Sequence, residues 1–233
     1  MSEIGSNLLR LQDRIAAACS RVDRVTASVT LMAVSKNQPP ERITEAAALG
    51  LTVFGENRIQ EARAKIHLCS SHLQWQFIGH LQSNKARDAV SLFHTVQGID
   101  SATLASEIQK QAEKQSRRMR VLLEVNVAGE ASKFGWNPER LLSEISTLQL
   151  LDRLEIQGLM TIAPYCADPE RVRPFFRRLR ELRDRCAERL DRPLPILSMG
   201  MSGDMEIAIE EGSTLVRIGT ALFGDRPPIV LSE

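Results

Sequence analysis

Val29-Thr30-Leu31-Met32-Ala33-Val34-Ser35-Lys36 is an apolar run that ends in a lysine, with Pro39-Pro40 close behind it. Its apolar residues are near-continuous rather than alternating, so it reads as a strand buried on both faces. Lysine is almost never fully buried without a partner or a task. In parallel sheets, open or closed, ligands bind just outside the carboxyl ends of the strands. A partly desolvated ammonium gives up its proton more readily, and the free amine is the form that condenses with a carbonyl. A plainer reading also stands at this point: a strand-end lysine can snorkel to solvent.

The rest of the chain repeats the pattern. Strand-like runs follow at about 51–56, 75–81, 92–98, 121–127, 154–162, 196–201 and 214–219, among them LTVFGE, WQFIGHL, VLLEVNV, LEIQGLMTI and TLVRIG. Helical patterns fill the gaps. PPERITEAAALG at 39–50 opens with proline and closes with glycine, as helix ends do. Leu104, Ala105, Ile108 and Ala112 make an apolar stripe over 101–116. Asn137-Pro138-Glu139 reads as an N-cap, first-turn proline and first-turn acid for a helix over 137–148. Asp168-Pro169-Glu170 repeats that signal, and Val172, Phe175, Phe176, Leu179, Leu182 and Cys186 then share one face. Shorter helices fit 57–69, 84–91 and 205–212, and a further amphipathic helix at about 6–23 precedes the first strand.

Eight strand–helix units in sequence predict an α/β fold, a single (β/α)₈ TIM-like barrel with an extra N-terminal helix. The length, 233 residues, is near the typical barrel of about 250. A doubly wound open sheet is the competing architecture. It usually carries a glycine-rich first loop, and here that loop is Ser-Lys-Asn-Gln-Pro-Pro; no GxGxxG or GxxxxGK[ST] occurs in the chain. No Pro/Gly/Ser-rich linker divides it, so 1–233 reads as one domain, with 1–25 a helical extension and 226–233 a short tail.

Composition excludes several classes. Thirty basic and 29 acidic side chains leave a net charge of +1, which points to neither nucleic acid nor an acidic membrane. Arginines crowd 171–192, but Glu181, Asp184, Glu188 and Asp191 are interleaved with them, the pattern of a solvated helix face. Cys19, Cys69, Cys166 and Cys186 form no CxxC, and no histidine cluster joins them, so neither a zinc site nor a redox pair is expected. The N-terminal segment carries charges throughout and lacks a secretory h-region. No stretch reaches the roughly 20 apolar residues of a membrane span. A cytoplasmic protein with reduced thiols is expected.

A closed barrel gathers the strand ends at one rim: Lys36, Gly55-Glu56-Asn57, Gly79-His80, Gly98, Asn126, Met160-Thr161, Ser198-Met199-Gly200-Met201-Ser202-Gly203-Asp204 and Arg217-Ile218-Gly219-Thr220. Barrel enzymes often hold a phosphate in the last two loops. Ser198 and Ser202 offer hydroxyls there, Gly219 lacks the Cβ that would keep a phosphate away, and Thr220 offers another hydroxyl. A lysine and a phosphate cradle across one barrel mouth suit a phosphorylated aldehyde. Pyridoxal 5′-phosphate (PLP) fits both ends.

These residues resemble a known family, the YggS/PROSC-type PLP-binding proteins, also called PLP homeostasis proteins. The matching stretches are AVSKNQP at 33–39, FGENRIQEARAK at 54–65, WQFIGHLQSNKAR at 75–87, GLMTI at 158–162 and LSMGMSGDMEIAIEEGSTLVRIGTALFG at 197–224. The resemblance implies a barrel of the alanine racemase N-terminal domain type. It implies that Lys36 is the internal aldimine lysine, and that Ser202, Gly219 and Thr220 hold the phosphate with Ser198 close by. Gly200 and Met201 of the same loop join the cofactor-binding set, Arg217 faces the pyridine nitrogen, and Asn57 and Met160 line the ring. His80 departs from the family pattern, which has proline there, and reads as a tolerated loop variant.

Arginine is always protonated, and set against a pyridine nitrogen it disfavours a proton on the ring. The cofactor is then a poorer electron sink. Related racemases compensate with two opposed bases, a lysine and a tyrosine. This chain has one tyrosine, Tyr165, and no second domain is expected to close the site. The expected function is therefore binding and release of PLP, balancing the cofactor and amino-acid pools, with no dedicated turnover. PLP, amino acids and PLP-dependent apoenzymes are the expected partners, and the chain is expected to be monomeric. The alternatives are an amino-acid racemase using Lys36 with Tyr165 or His80, and a class I aldolase with a Schiff-base lysine.

Overall fold

The computed structural model describes residues 2–224. Among them eight parallel strands close into one barrel in chain order, with the last pairing to the first. They are β1 (Thr30–Val34), β2 (Val53–Glu56), β3 (Gln74–Phe77), β4 (Thr95–Ile99), β5 (Met119–Glu124), β6 (Leu154–Met160), β7 (Ile196–Ser198) and β8 (Leu215–Ile218). Ala33 lies opposite Phe54 on one side and Ile218 on the other, which closes the ring.

Helices follow the strands as α2 (Pro40–Ala48), α3 (Ile59–Lys65), α4 (Ala86–Leu92), α5 (Ala102–Lys114), α6 (Pro138–Leu148), α7 (Arg173–Leu190) and α8 (Met205–Glu210), after a leading α1 (Glu3–Ser20). The expected caps are in place where they matter: Asn137 accepts the Arg140 N–H and starts α6. Asp168 caps a 3₁₀ turn over Pro169–Val172, and the α-helix begins only at Arg173. A further helix, α9 (Thr220–Phe223), has no sequence signal because one turn is too short to show a period. The 226–233 tail lies outside the described residues.

Strand alternation sorts the side chains into two layers. In β8, Val216 and Ile218 join the core shared with the helices, while Leu215 and Arg217 take the opposite face, the barrel interior. The same alternation in β5 sends Val121 and Leu123 outward and Leu122 and Glu124 inward. The interior is not wholly apolar. Gln97 Nε2 donates to Gln76 Oε1 (2.7 Å), Ser198 Oγ donates to Gln97 Oε1 (2.6 Å), and Arg217 Nη1 donates to Ser198 Oγ (2.7 Å). This chain crosses the barrel from β3 through β4 and β7 to β8.

Two features fasten the last quarter of the ring. The N-terminal helix buries Ile4, Leu8, Leu11, Ile15, Ala18 and Cys19 and packs on α8 and α9. Each large aliphatic side chain so buried stabilises the fold by about 1.5–3 kcal/mol. The arginine-rich face of α7 is not simply solvated, as the sequence suggested. Arg173, Arg177 and Arg180 all pair with Glu211, at the end of α8, at 3.4, 2.9 and 3.1 Å. Glu211 is buried, so these contacts fix α8, the helix that follows the serine loop.

Candidate functional site

A cavity of about 470 Å³ opens at the carboxyl ends of the strands, within the size range of small-molecule sites. Lys36 lines it from just beyond β1, Asn57 from beyond β2, and His80 from beyond β3. Met201, Ser202 and Gly203 line it from the loop after β7, and Arg217, Gly219 and Thr220 from β8 and its end. The sequence-derived lysine, ring-lining asparagine, arginine and most of the phosphate cradle thus share one space.

The cradle has the chemistry of an anion site. Neither the Ser202 nor the Thr220 hydroxyl bonds another described residue, although both line the cavity. A Cβ on Gly219 would meet Val34 only at ordinary contact distance, 3.5 Å, so the protein interior does not demand glycine there. What the bare backbone keeps clear is cavity. The loop itself is held from below. Asp204 Oδ1 accepts the Met201 N–H at 2.6 Å, and Arg14 of α1 donates to the Ser202 carbonyl at 3.0 Å while clamping Glu206. The leading helix therefore helps shape the cradle.

Four residues singled out in the sequence stand elsewhere. Ser198 is fully buried, and its hydroxyl is committed to Gln97 and Arg217. Its one hydroxyl hydrogen goes to Gln97, and its oxygen holds the arginine. Gly200 has φ 94°, and a Cβ there would lie 2.6 Å from the Ala208 Cβ, so this glycine serves the turn and the approach of α8. Met160 ends β6 and is buried without reaching the cavity. Tyr165 is 95% exposed and lies off the cavity wall.

Arg217 is the buried cation of the site. Nη1 is held by Ser198, and Nη2 donates to the Thr161 carbonyl at 2.8 Å. Burial pulls its pKa down to about 10, against the opposing pull of Glu124 and Asp204, so it stays charged at neutral pH.

His80, placed on the rim by the sequence, lines the same cavity, and so do Glu124 and Phe134, which the sequence did not single out. His80 Nδ1 pairs with Asp100 at 3.1 Å, and its ring stacks on Phe134 with centroids 3.5 Å apart. It is thus packed into the rim. Burial, then the charge of Asp100, push the Glu124 carboxyl up to about 7, with Arg217 pulling the other way. Between its ordinary value of 4.5 and about 7, the folded protein holds a proton that the unfolded chain has released. The resulting stability is fully present below 4.5 and is lost as pH rises through 7. Wild type should lose up to about 3 kcal/mol across that window, and Glu124→Gln should lose none of it. Denaturant unfolding at stepped pH reads the difference; parallel curves for the two proteins contradict the assignment.

Among the described residues, no group of three or more His, Cys, Asp and Glu could hold a metal ion. All four cysteines are free. No helix of the described residues is long and apolar enough to cross a membrane.

Comparison with known proteins adds independent findings. The family described as "Alanine racemase, N-terminal domain" matches residues 10–227. The pyridoxal phosphate homeostasis protein of Aquifex aeolicus is 47% identical over 220 residues, covering 94% of this chain and 96% of the relative. The protein of the same name in Escherichia coli is 40% identical over 234 residues, covering 97% and 98%. PipY of Synechococcus elongatus, solved with PLP bound, superposes with a TM-score of 0.85 at 36% identity, covering 95% of this chain and all of that one. The alanine racemase of Corynebacterium glutamicum shares the fold, with a TM-score of 0.72 at 17% identity. This chain covers 64% of that racemase.

Proposed function

We propose, on the premise that this chain belongs to the pyridoxal phosphate homeostasis proteins of the alanine racemase N-terminal domain family, that it binds and releases PLP. One observation carries the reading: a single cavity is lined both by Lys36 and by the uncommitted hydroxyls of Ser202 and Thr220 beside the bare backbone of Gly219. When bound, PLP supplies an aldehyde that condenses with a primary amine, with loss of water, and a pyridine ring that can draw electron density from carbon. Lys36 is the amine that would hold it. Ser202, Gly219 and Thr220 would take the phosphate, and Asn57 would flank the ring. Arg217 is a fixed cation in the wall and discourages a proton on a ring nitrogen set against it.

The chain serves as a carrier that keeps PLP and the amino-acid pools in balance, and PLP-dependent apoenzymes are its recipients. It acts as a monomeric one-domain protein in the cytoplasm, where its four free cysteines are at home. Support for the absence of dedicated turnover lies in Arg217 and in Tyr165, which stands clear of the cavity as the one tyrosine. A second reading, amino-acid racemisation, has one observation in its favour: Glu124, a cavity carboxyl poised at about 7, can take up or give a proton at neutral pH.

Proton exchange separates the two. With PLP-loaded protein in deuterated water, NMR should show the α-protons of D- and L-alanine, serine and glutamate exchanging far below the median enzyme turnover of about 10 s⁻¹. Exchange near that rate, abolished by Glu124→Gln, overturns the carrier reading.

A further inference from the structure

Lys65 is a lysine that does not line the cavity. It ends α3, is buried, and its ammonium is enclosed by oxygens. Nζ donates to the backbone carbonyls of Ser35 (2.7 Å) and Gln38 (3.3 Å) and to Glu61 Oε1 (2.7 Å), and pairs with Glu56 Oε1 (2.8 Å). Burying an ammonium is costly, and an apolar side chain of similar volume often serves stability as well or better. The identity of the acceptors shows what the charge is for. Two are the carbonyls that flank Lys36 on either side.

The rest of the loop closes on the same centre. Glu61 Oε1 also accepts the Asn37 N–H at 2.5 Å, and Ser35 Oγ donates to Glu56 Oε1 at 2.5 Å. The Gln38 N–H donates to the Ser35 carbonyl at 3.0 Å. Asn37 itself sits at φ 60°, in the left-handed region. Asparagine tolerates that region better than other non-glycine residues do, and here the Asn37 N–H is also held by Glu61. Residues 35, 37 and 38 are each held by Lys65 or by one of its two carboxyl partners.

We propose that Lys65, with Glu56 and Glu61, is a positioning group that fixes the backbone of residues 35–38 and so aims the Lys36 amine at the carbonyl of a cavity ligand. The proposal rests on Lys36 being the covalent anchor. Condensation between held groups is sensitive to placement, and an error of roughly 1 Å can slow such a step by about 10²-fold. The contribution of Lys65 therefore lies in the rate of capture.

Two ligands distinguish positioning from mere support. PLP carries the aldehyde; pyridoxine 5′-phosphate carries an alcohol in its place and cannot condense. Lys65→Met strips the buried ammonium, but Glu56, whose Oε2 is already buried without a hydrogen-bond partner, then loses its counter-charge as well. Where that variant does not fold, Glu61→Ala carries the test, because Glu61 is only partly buried and its loss frees the Asn37 N–H and one Lys65 partner. In the variants, borohydride-trapped label should form about tenfold to a hundredfold more slowly than in wild type, while pyridoxine 5′-phosphate binds with wild-type affinity. A parallel fall for both ligands means that Lys65 only supports the fold. Unchanged capture means that the loop needs no such hold. Either outcome overturns the proposal. Failure of the underlying reading shows separately, as wild type that places no label on Lys36.

Discussion

Lys36→Ala, loaded with PLP and treated with borohydride, retains no covalent label. The lysine lines the cavity from the rim, two residues past the end of β1, so its loss removes an amine and no part of the buried core. The variant should keep the fold, as read by circular dichroism, since the apolar core is untouched. PLP should still bind, more weakly, through the phosphate cradle, because Ser202, Gly219 and Thr220 are untouched. Equilibrium dialysis would find it in exchange with free PLP, with none left after denaturation of the reduced sample. A variant that keeps its label has its reactive amine elsewhere.

The cradle gives the second large effect. A hydrogen bond to a charged group contributes about 1.5–3 kcal/mol, and every 1.4 kcal/mol is tenfold in affinity. Ser202→Ala or Thr220→Val should thus weaken PLP binding by roughly tenfold to a hundredfold. Pyridoxal, which has no phosphate, should be little affected. Ser198→Ala should behave differently. It removes the acceptor that holds Arg217 Nη1, not a phosphate contact, so pyridoxal and PLP should lose affinity together. If Ser198→Ala spares pyridoxal as Ser202→Ala does, Ser198 belongs to the cradle after all.

The contrast between those two serines shows what a sequence can reveal here. The barrel was legible because strands buried on both faces read as near-continuous apolar runs, punctuated by prolines and glycines at helix ends. All eight observed strands fall where such runs lie, trimmed or shifted by a few residues at their ends. That Lys36, Ser202, Arg217, Gly219 and Thr220 share one rim was legible because strand ends of a closed barrel converge. The contacts of Ser198 were not legible, because they depend on Gln97, 101 positions away, and on the alternation that turns its hydroxyl inward. Glu124 carried the same signal as Lys36, one ionisable residue inside the apolar run VLLEVNV, and was readable in principle. Its meaning comes from Asp100 and Arg217, neighbours that only barrel closure supplies. His80 is similar: its partners Asp100 and Phe134 lie beyond β4 and β5, and no local pattern links them. The work of Lys65 was hidden for a further reason. As a lysine at the end of a short helix it looks like ordinary last-turn charge, and only the loop folded over it makes it a buried one.

The central claim is that this protein holds PLP on one particular lysine. Wild-type protein saturated with PLP, reduced with borohydride, digested and mapped by mass spectrometry tests it most directly. The pyridoxyl group should appear on the peptide that contains Lys36 and on no other. A label on Lys65 or Lys85, or no label at all, contradicts the account.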